Sequence, residues 1–253
     1  VFQSALPKLL VLITLSSLAG CQTRAALESQ PPTNERFMRE MQYALAQSIA
    51  SASTGKQVGV VSLKVILDRN AAPIACKARR PLPSAELLLP SDVSRSNFQA
   101  LASMVEAQCW KTVYPIAPEA MYGERGYLEV VAPLAVHLPA ALYAPGAEQW
   151  QYNAKRAYFW QHLFGDESLT SVGKATVYYQ TDAQGKVTGC LVQMAEHPLR
   201  TRDFRLDGAL QSRLAQRCMA MDLRPMPGFA ADVQGIARGS VRLDYAPWLS
   251  ARP

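Results

Sequence analysis

Two stretches of the chain repeat one pattern of apolar and polar positions. In the first, Val61, Leu63, Val65 and Leu67 alternate with Ser62 and Lys64, the period of a half-buried strand. A turn follows at Asp68-Arg-Asn-Ala-Ala-Pro73, then a short strand near Ile74 and Cys76. Phe98, Leu101, Val105 and Cys109 then mark one helix face. In the second, Ala175, Val177 and Tyr179 alternate, Asp182-Ala-Gln-Gly185-Lys supplies the turn, and 187–194 reads as the next strand. Leu206, Leu210, Leu214 and Cys218 predict a helix over roughly 203–221. Val58 and Val172, Asp68 and Asp182, and Cys76 and Cys190 are each 114 residues apart. Third strands are expected at 126–131 and 239–245, each opening on Gly and followed by Pro133 or Pro247.

A helix precedes each repeat. Phe37, Met41, Leu45 and Ile49 recur every four residues, with Thr33 or Asn34 as cap and Glu35 in the first turn. The second such helix, 149–164, holds Trp150, Tyr152, Tyr158, Phe159 and Trp160. Pro133, Pro139, Pro145 and Gly146 mark a boundary between the repeats. The fold class is therefore α+β: two small ββαβ modules, each preceded by a helix, at 33–138 and 149–253 with a linker at 139–148. Residues 80–92 are Pro-rich and loop-like, and Leu87-Leu-Leu89 within them call for burial.

The amino-terminal stretch follows a different rule. Lys8 precedes an apolar run from Leu9 to Leu18 that is short for a membrane span. Leu18-Ala19-Gly20-Cys21 follows, and resembles the lipobox of bacterial lipoproteins. That resemblance implies a signal peptide at 1–20 and lipidation of Cys21 by diacylglycerol and an amino-linked acyl chain such as palmitate. Several chains give stable anchoring where one does not. Residues 21–32 are polar, end in Pro31-Pro32 and read as a tether. Residue 22 is Gln rather than the Asp of inner-membrane retention, so the expected site is the periplasmic face of a Gram-negative outer membrane.

Export to an oxidising compartment lets disulfides persist. Apart from Cys21, the cysteines fall two to a repeat, one on the middle strand and one on the inner face of the helix. Four cysteines allow three pairings, and only Cys76–Cys109 with Cys190–Cys218 respects the repeat.

The order strand, Asp-x-x-Gly turn, strand, helix, Pro-containing loop, strand resembles the carboxy-terminal domain of TonB, the energy transducer of Gram-negative envelopes. The matching residues are Gly173-Lys-Ala-Thr-Val-Tyr-Tyr, Asp182 to Cys190 and Leu206-Asp-Gly-Ala-Leu in the second repeat. In the first they are Gly59 to Asp68, Cys76 and Trp110 to Pro115. The resemblance implies a TonB-like fold and recognition of a partner strand at an exposed sheet edge. TonB has an inner-membrane helix and a long Pro-rich spacer. A lipid anchor and a short tether imply a different job.

Charge and chemistry add exclusions. The net charge is +6, spread without a Lys/Arg run or an aromatic-basic motif, so nucleic acid is not an expected partner. His137, His162 and His197 lack metal-ligand spacing, and neither a metal nor another cofactor is expected. Ser53-Thr-Gly-Lys56 and Ser171-Val-Gly-Lys174 fit Ser-x-x-Lys without the companion motifs of acylating enzymes, and read as turns leading into strands. Asp166-Glu167 reads as the start of a solvated loop. No catalytic constellation is assigned. The leading expectation is a lipid-anchored binding or structural subunit of an envelope assembly for secretion or transport, with a protein partner. The alternative is a peptidoglycan or glycan binder using Trp150, Tyr158 and Trp160, since flat rings offer large contact area at low entropic cost. An envelope enzyme ranks below both.

Overall fold

The two stretches related by 114 residues form two three-stranded antiparallel sheets in a mixed α+β fold. The computed structural model describes residues 33–52, 57–136 and 146–250, which belong to one compact unit. In the first sheet β1 (Gly59–Leu67) lies between β2 (Pro73–Arg79) and β3 (Leu128–Val136). In the second, β4 (Gly173–Thr181) lies between β5 (Val187–Glu196) and β6 (Ala237–Tyr245). Four long helices accompany them: α1 (Asn34–Ala52), α2 (Phe98–Lys111), α3 (Gly146–Phe164) and α4 (Gly208–Met219). The order helix, strand, strand, helix, strand thus occurs twice, with a four-residue helical turn Pro83–Glu86 added in the first half.

The repeat extends to single hydrogen bonds. Asp68 Oδ1 accepts from the Asn70 and Ala72 amides, both at 2.8 Å. Asp182 Oδ1 accepts from those of Gln184 and Lys186 at 3.1 and 2.9 Å. Such a turn stands in for backbone pairing and closes the hairpin. The strand register slips between Ile66 and Leu67 in one hairpin and between Gln180 and Thr181 in the other, again 114 residues apart. The left-handed residue of the turn is Gly185, φ 78°, where an added Cβ would meet Arg224 Cγ at 2.5 Å. Its counterpart Ala71 takes φ 50° with its methyl in the core.

Caps set the helix starts. Thr33, rather than Asn34, accepts the Arg36 amide at 3.2 Å for α1. Asn97 accepts the Gln99 and Ala100 amides for α2. Asp207 accepts the Leu210 amide at 2.9 Å and starts α4 only at Gly208. This corrects the helix expected from 203: Leu206 lies before the cap and is 68% exposed. A second correction concerns β3, which begins at Leu128 and continues through Pro133 to Val136 rather than ending at 131. A third concerns the leucines: Leu89 is buried, but Leu87 and Leu88 are exposed.

Each half has its own core. Phe37, Met41, Leu45 and Ile49 of α1 pack with Leu101, Val105 and Cys109 of α2 and the inward residues of β1. Phe159 and Leu163 of α3 pack with Leu210, Leu214 and Cys218 of α4 and with Val177, Tyr179 and Val241. Disulfides join Cys76 to Cys109 and Cys190 to Cys218, with Cα separations of 6.0 and 6.1 Å. Both strand cysteines lie on edge strands, β2 and β5, not on middle ones. The first strand of each repeat takes the centre because it pairs with both others. Each staple therefore ties a sheet edge to its covering helix.

One buried arginine joins the halves. Arg200, in the loop after β5, is 4% exposed. Its guanidinium donates to the carbonyl oxygens of Tyr114 at 3.1 Å and Asn70 at 3.0 Å, both in the first half. Asp203 supplies its countercharge and Trp248 lies beside it, 5.6 Å from ring centroid to guanidinium carbon. The Trp248 indole N–H donates to Thr112 O at 3.3 Å, next to an apolar contact of Val113, Val172 and Ala246.

Arg200→Ala strands two carbonyls and the Asp203 carboxylate, and should cost about 3 kcal/mol in urea unfolding. Replacing Cys190 and Cys218 together by Ala should cost a similar amount, about 3 kcal/mol, by lifting the constraint on the unfolded chain. No change in the unfolding midpoint for either variant would contradict the role given to it.

Candidate functional site

Helices cover one face of each sheet and leave the other to solvent. Residues paired across strands share a face, so the register identifies both. On the open face of the second sheet, Thr176 stands between Gln193 and Arg242, Tyr178 between Leu191 and Ser240, and Gln180 between Gly189 and Arg238. Lys174 stands between Ala195 and Asp244. Tyr178 and Leu191 are 43% and 53% exposed and form an apolar pair at the centre. Lys174, Arg238 and Arg242 make no ion pair among the described residues. The one acid of the face, Asp244, already lies 3.5 Å from Arg156. The surface is thus cationic around an apolar centre. Its counterpart on the first sheet is more self-neutralised, since Lys64 pairs with Glu129 and Lys77 with Glu106.

The sheet edges are treated differently in the two halves. Arg242 turns its backbone away from β4; its N–H donates to Tyr152 Oη at 3.3 Å and its carbonyl accepts from Arg156 Nε at 2.9 Å. Helix α3 thereby occupies the middle of the β6 edge. In the first sheet the equivalent residue is Pro133: it faces Ser62, which lies 114 residues before Thr176, the partner of Arg242. Its ring nitrogen points outward, where a strand can hold proline without losing a ladder bond. This explains why β3 runs through Pro133. The opposite edges meet helix side chains: Ala78 N–H donates to Glu106 at 2.8 Å and Gln211 donates to Val192 O at 2.7 Å.

Tyr158 and Trp160 do not share one face of the aromatic helix. Tyr158 and Trp160 are two residues apart and so leave a helix about 200° apart. Both are half-buried against the second core. Tyr158 donates its hydroxyl to Asp222 O at 2.8 Å and stacks on His162 at 4.1 Å, whereas Trp160 packs edge-on against Phe164 at 5.1 Å. The Trp150 side chain, Cys21, His137 and Ser53–Lys56 lie outside the described residues.

Tyr158, His162, Arg217, Met221, Asp222 and Pro225 line an open depression of about 550 Å³. Most of its polar groups are committed. Burial, then the Asp222 charge, pushes the Tyr158 phenol above its ordinary value. Asp222 is held below the ordinary carboxylate range by hydrogen bonds from Arg224. Arg217 bonds Leu163 O and Glu167. His162 Nδ1 lies 2.7 Å from Tyr158 O, which leaves Nε2 as the available acceptor. Ser171 donates to Arg205 O at 3.4 Å while Lys174 lies on the open sheet face, so the Ser-x-x-Lys match is not one site. Glu167 corrects the expectation of a solvated acidic pair: it is 5% exposed and held by Arg213 and Arg217 at 3.0 and 3.1 Å. No group of three metal-ligating side chains occurs among the described residues.

The His197 imidazole is held well below its ordinary value. Burial pushes it down to about 4, Lys174 and Arg200 act in the same direction, and Asp244 opposes them. Its Nδ1 accepts the Leu199 amide at 3.3 Å, and its Nε2 lies 3.8 Å from Asp244. The register and the loop position that assemble this group were invisible in a lone histidine.

Because His197 is folded neutral and the unfolded ring titrates near its ordinary value of 6.5, the unfolded state binds the extra proton between these values. Its stabilisation is complete above pH 6.5 and is lost as pH falls towards about 4. The loss should be on the order of 3 kcal/mol in unfolding measured against pH. His197→Gln should flatten that part of the profile, and an unchanged slope would contradict the assignment.

Comparison of the chain with protein-family models, curated proteins and solved structures finds no match in any of the three.

Proposed function

We propose that the protein is a lipid-anchored, periplasm-facing binding subunit of an envelope assembly, built on two TonB-like ββαβ modules. In this reading Cys21 carries the lipid, and the open face of the second sheet recognises a protein partner. The observation that carries it is that face: an exposed Tyr178–Leu191 pair surrounded by Lys174, Arg238 and Arg242, which make no ion pair among the described residues. Aromatic and arginine side chains dominate the energetics of protein recognition, and unpaired cations select acidic partners. Two disulfides suit an exported chain.

Strand addition has less support. Tyr152 and Arg156 occupy the β6 edge, and Pro133 removes a donor from the middle of β3. Only the part of β3 around Glu129 and Val131 retains outward donors before that proline. The glycan reading has less support, since Tyr158 and Trp160 diverge.

The test is capture of envelope proteins from solubilised membranes by the full chain. Arg238→Glu with Arg242→Glu should lower capture of a stoichiometric protein by about tenfold or more, a loss on the order of 1.4 kcal/mol or more. Arg125→Glu, an exposed cation of the first half, should leave it unchanged. Equal capture by the double variant would remove the face from the proposal, and a wild-type chain that captures no protein would sink the subunit reading itself.

A further inference from the structure

The first half differs from the second by one added element. Its disulfide closes over 33 residues and its counterpart over 28. The register matches at an offset of 114 as far as Arg79 and the caps Asn97 and Asp207 are 110 apart, so four of the five extra residues fall between β2 and α2 and one within α2 before Cys109. That segment, 80–97, holds three exposed leucines close together: Leu82 is 73% exposed, Leu87 83% and Leu88 54%.

The loop is well fastened. Leu89 is buried against Val58 and Val60, with Ala85 and Val93 packed beside them. Ser96 makes two bonds to Val58, amide to carbonyl and hydroxyl from amide, both at 2.8 Å. Arg95 neutralises Glu86 and donates to its carbonyl at 3.2 Å. The Leu88 and Leu89 amides close the helical turn onto Ala85 and Glu86. The leucines are therefore held outward on an ordered support. Exposed leucines in one short loop are an interaction feature rather than a packing accident.

We propose that this loop inserts Leu82, Leu87 and Leu88 into an anionic lipid surface. Charge points to lipid. Arg79 and Arg80 stand at the base of the loop, exposed, and Arg80 rests its guanidinium on Phe98 at 4.8 Å. Glu86 is spent on Arg95, leaving Asp92 as the loop's remaining acid. Shape points the same way. The leucines protrude, and a fluid acyl layer accepts a protruding apolar tip, whereas a protein partner must supply a matching groove. Cations at the base of an exposed apolar loop combine the two attractions that interfacial anchors use, apolar burial and pairing with anionic headgroups. The loop would be a second, non-covalent contact that orients the domain against the membrane. This goes beyond the proposed function and does not depend on the sheet face.

The test uses the full chain with Cys21→Ser, so that no acyl chain is attached, and vesicles of phosphatidylethanolamine and phosphatidylglycerol. Amide exchange over 82–89 should slow by about fivefold or more on the vesicles. Leu87→Glu with Leu88→Glu should lower co-flotation by about fivefold or more without shifting thermal unfolding, because both side chains are exposed. Arg79→Glu should weaken binding to these vesicles and not to phosphatidylcholine alone. Unchanged loop exchange on vesicles overturns the inference. So does equal flotation of the double-Glu variant, whose amino terminus is identical. Protection that appears only with solubilised envelope proteins, and not with vesicles, assigns the loop to a protein partner and overturns the lipid reading.

Discussion

A three-stranded sheet can bury one face under its helices and must leave the other wet. That constraint governs both halves of this protein. The buried faces hold Val61, Leu63 and Val65 in one sheet and Ala175, Val177 and Tyr179 in the other. Cores of this size are modest, and their supporting helices are pinned by covalent bonds from the sheet edge, Cys76 to Cys109 and Cys190 to Cys218. The same geometry that makes the staples useful leaves Tyr178, Leu191, Arg238 and Arg242 outside.

Polar groups of the described residues join the halves, and Arg200 is the most buried of them to carry a charge. Arg200 carries its charge into the joint and satisfies two carbonyls of the other half while Asp203 balances it. His197 sits three residues before it, and the His197 carbonyl accepts the Arg200 amide at 2.8 Å. Burial is the main reason that protonating the ring is unfavourable there; Asp244 opposes it, and the Lys174 and Arg200 charges add smaller contributions in the same direction as burial.

Against the repeat, the differences stand out. Helix α3 reaches the β6 edge with Tyr152 and Arg156; at the corresponding offset of 114 residues α1 has Met38 and Gln42. The first sheet protects its edge with Pro133 instead. The added loop before α2 folds over Val58 and Val60, at one end of the open face, and carries its leucines outward. The two halves share a frame, and each meets its exposed edges and faces by different chemistry.

Local patterning was sufficient for much of the frame. Alternation at Val61–Leu67, the Asp68 and Asp182 turns, the four-residue spacing in α1 and the cysteine pairs are set by short-range stereochemistry and by the repeat. Those features were legible because each depends on residues close in sequence or fixed by a constant offset. The strand order, the burial of Glu167 and the pairing of Arg200 were not legible, since each depends on residues dozens of positions away. Leu87 and Leu88 show the limit most clearly. Their hydrophobicity called for burial, but Leu89 already fills the space against Val58 and Val60, and only packing in three dimensions decides which of three adjacent leucines goes in. The sequence determined the elements, turns and staples; tertiary structure decided which faces and side chains stay exposed, because that is a property of what remains uncovered.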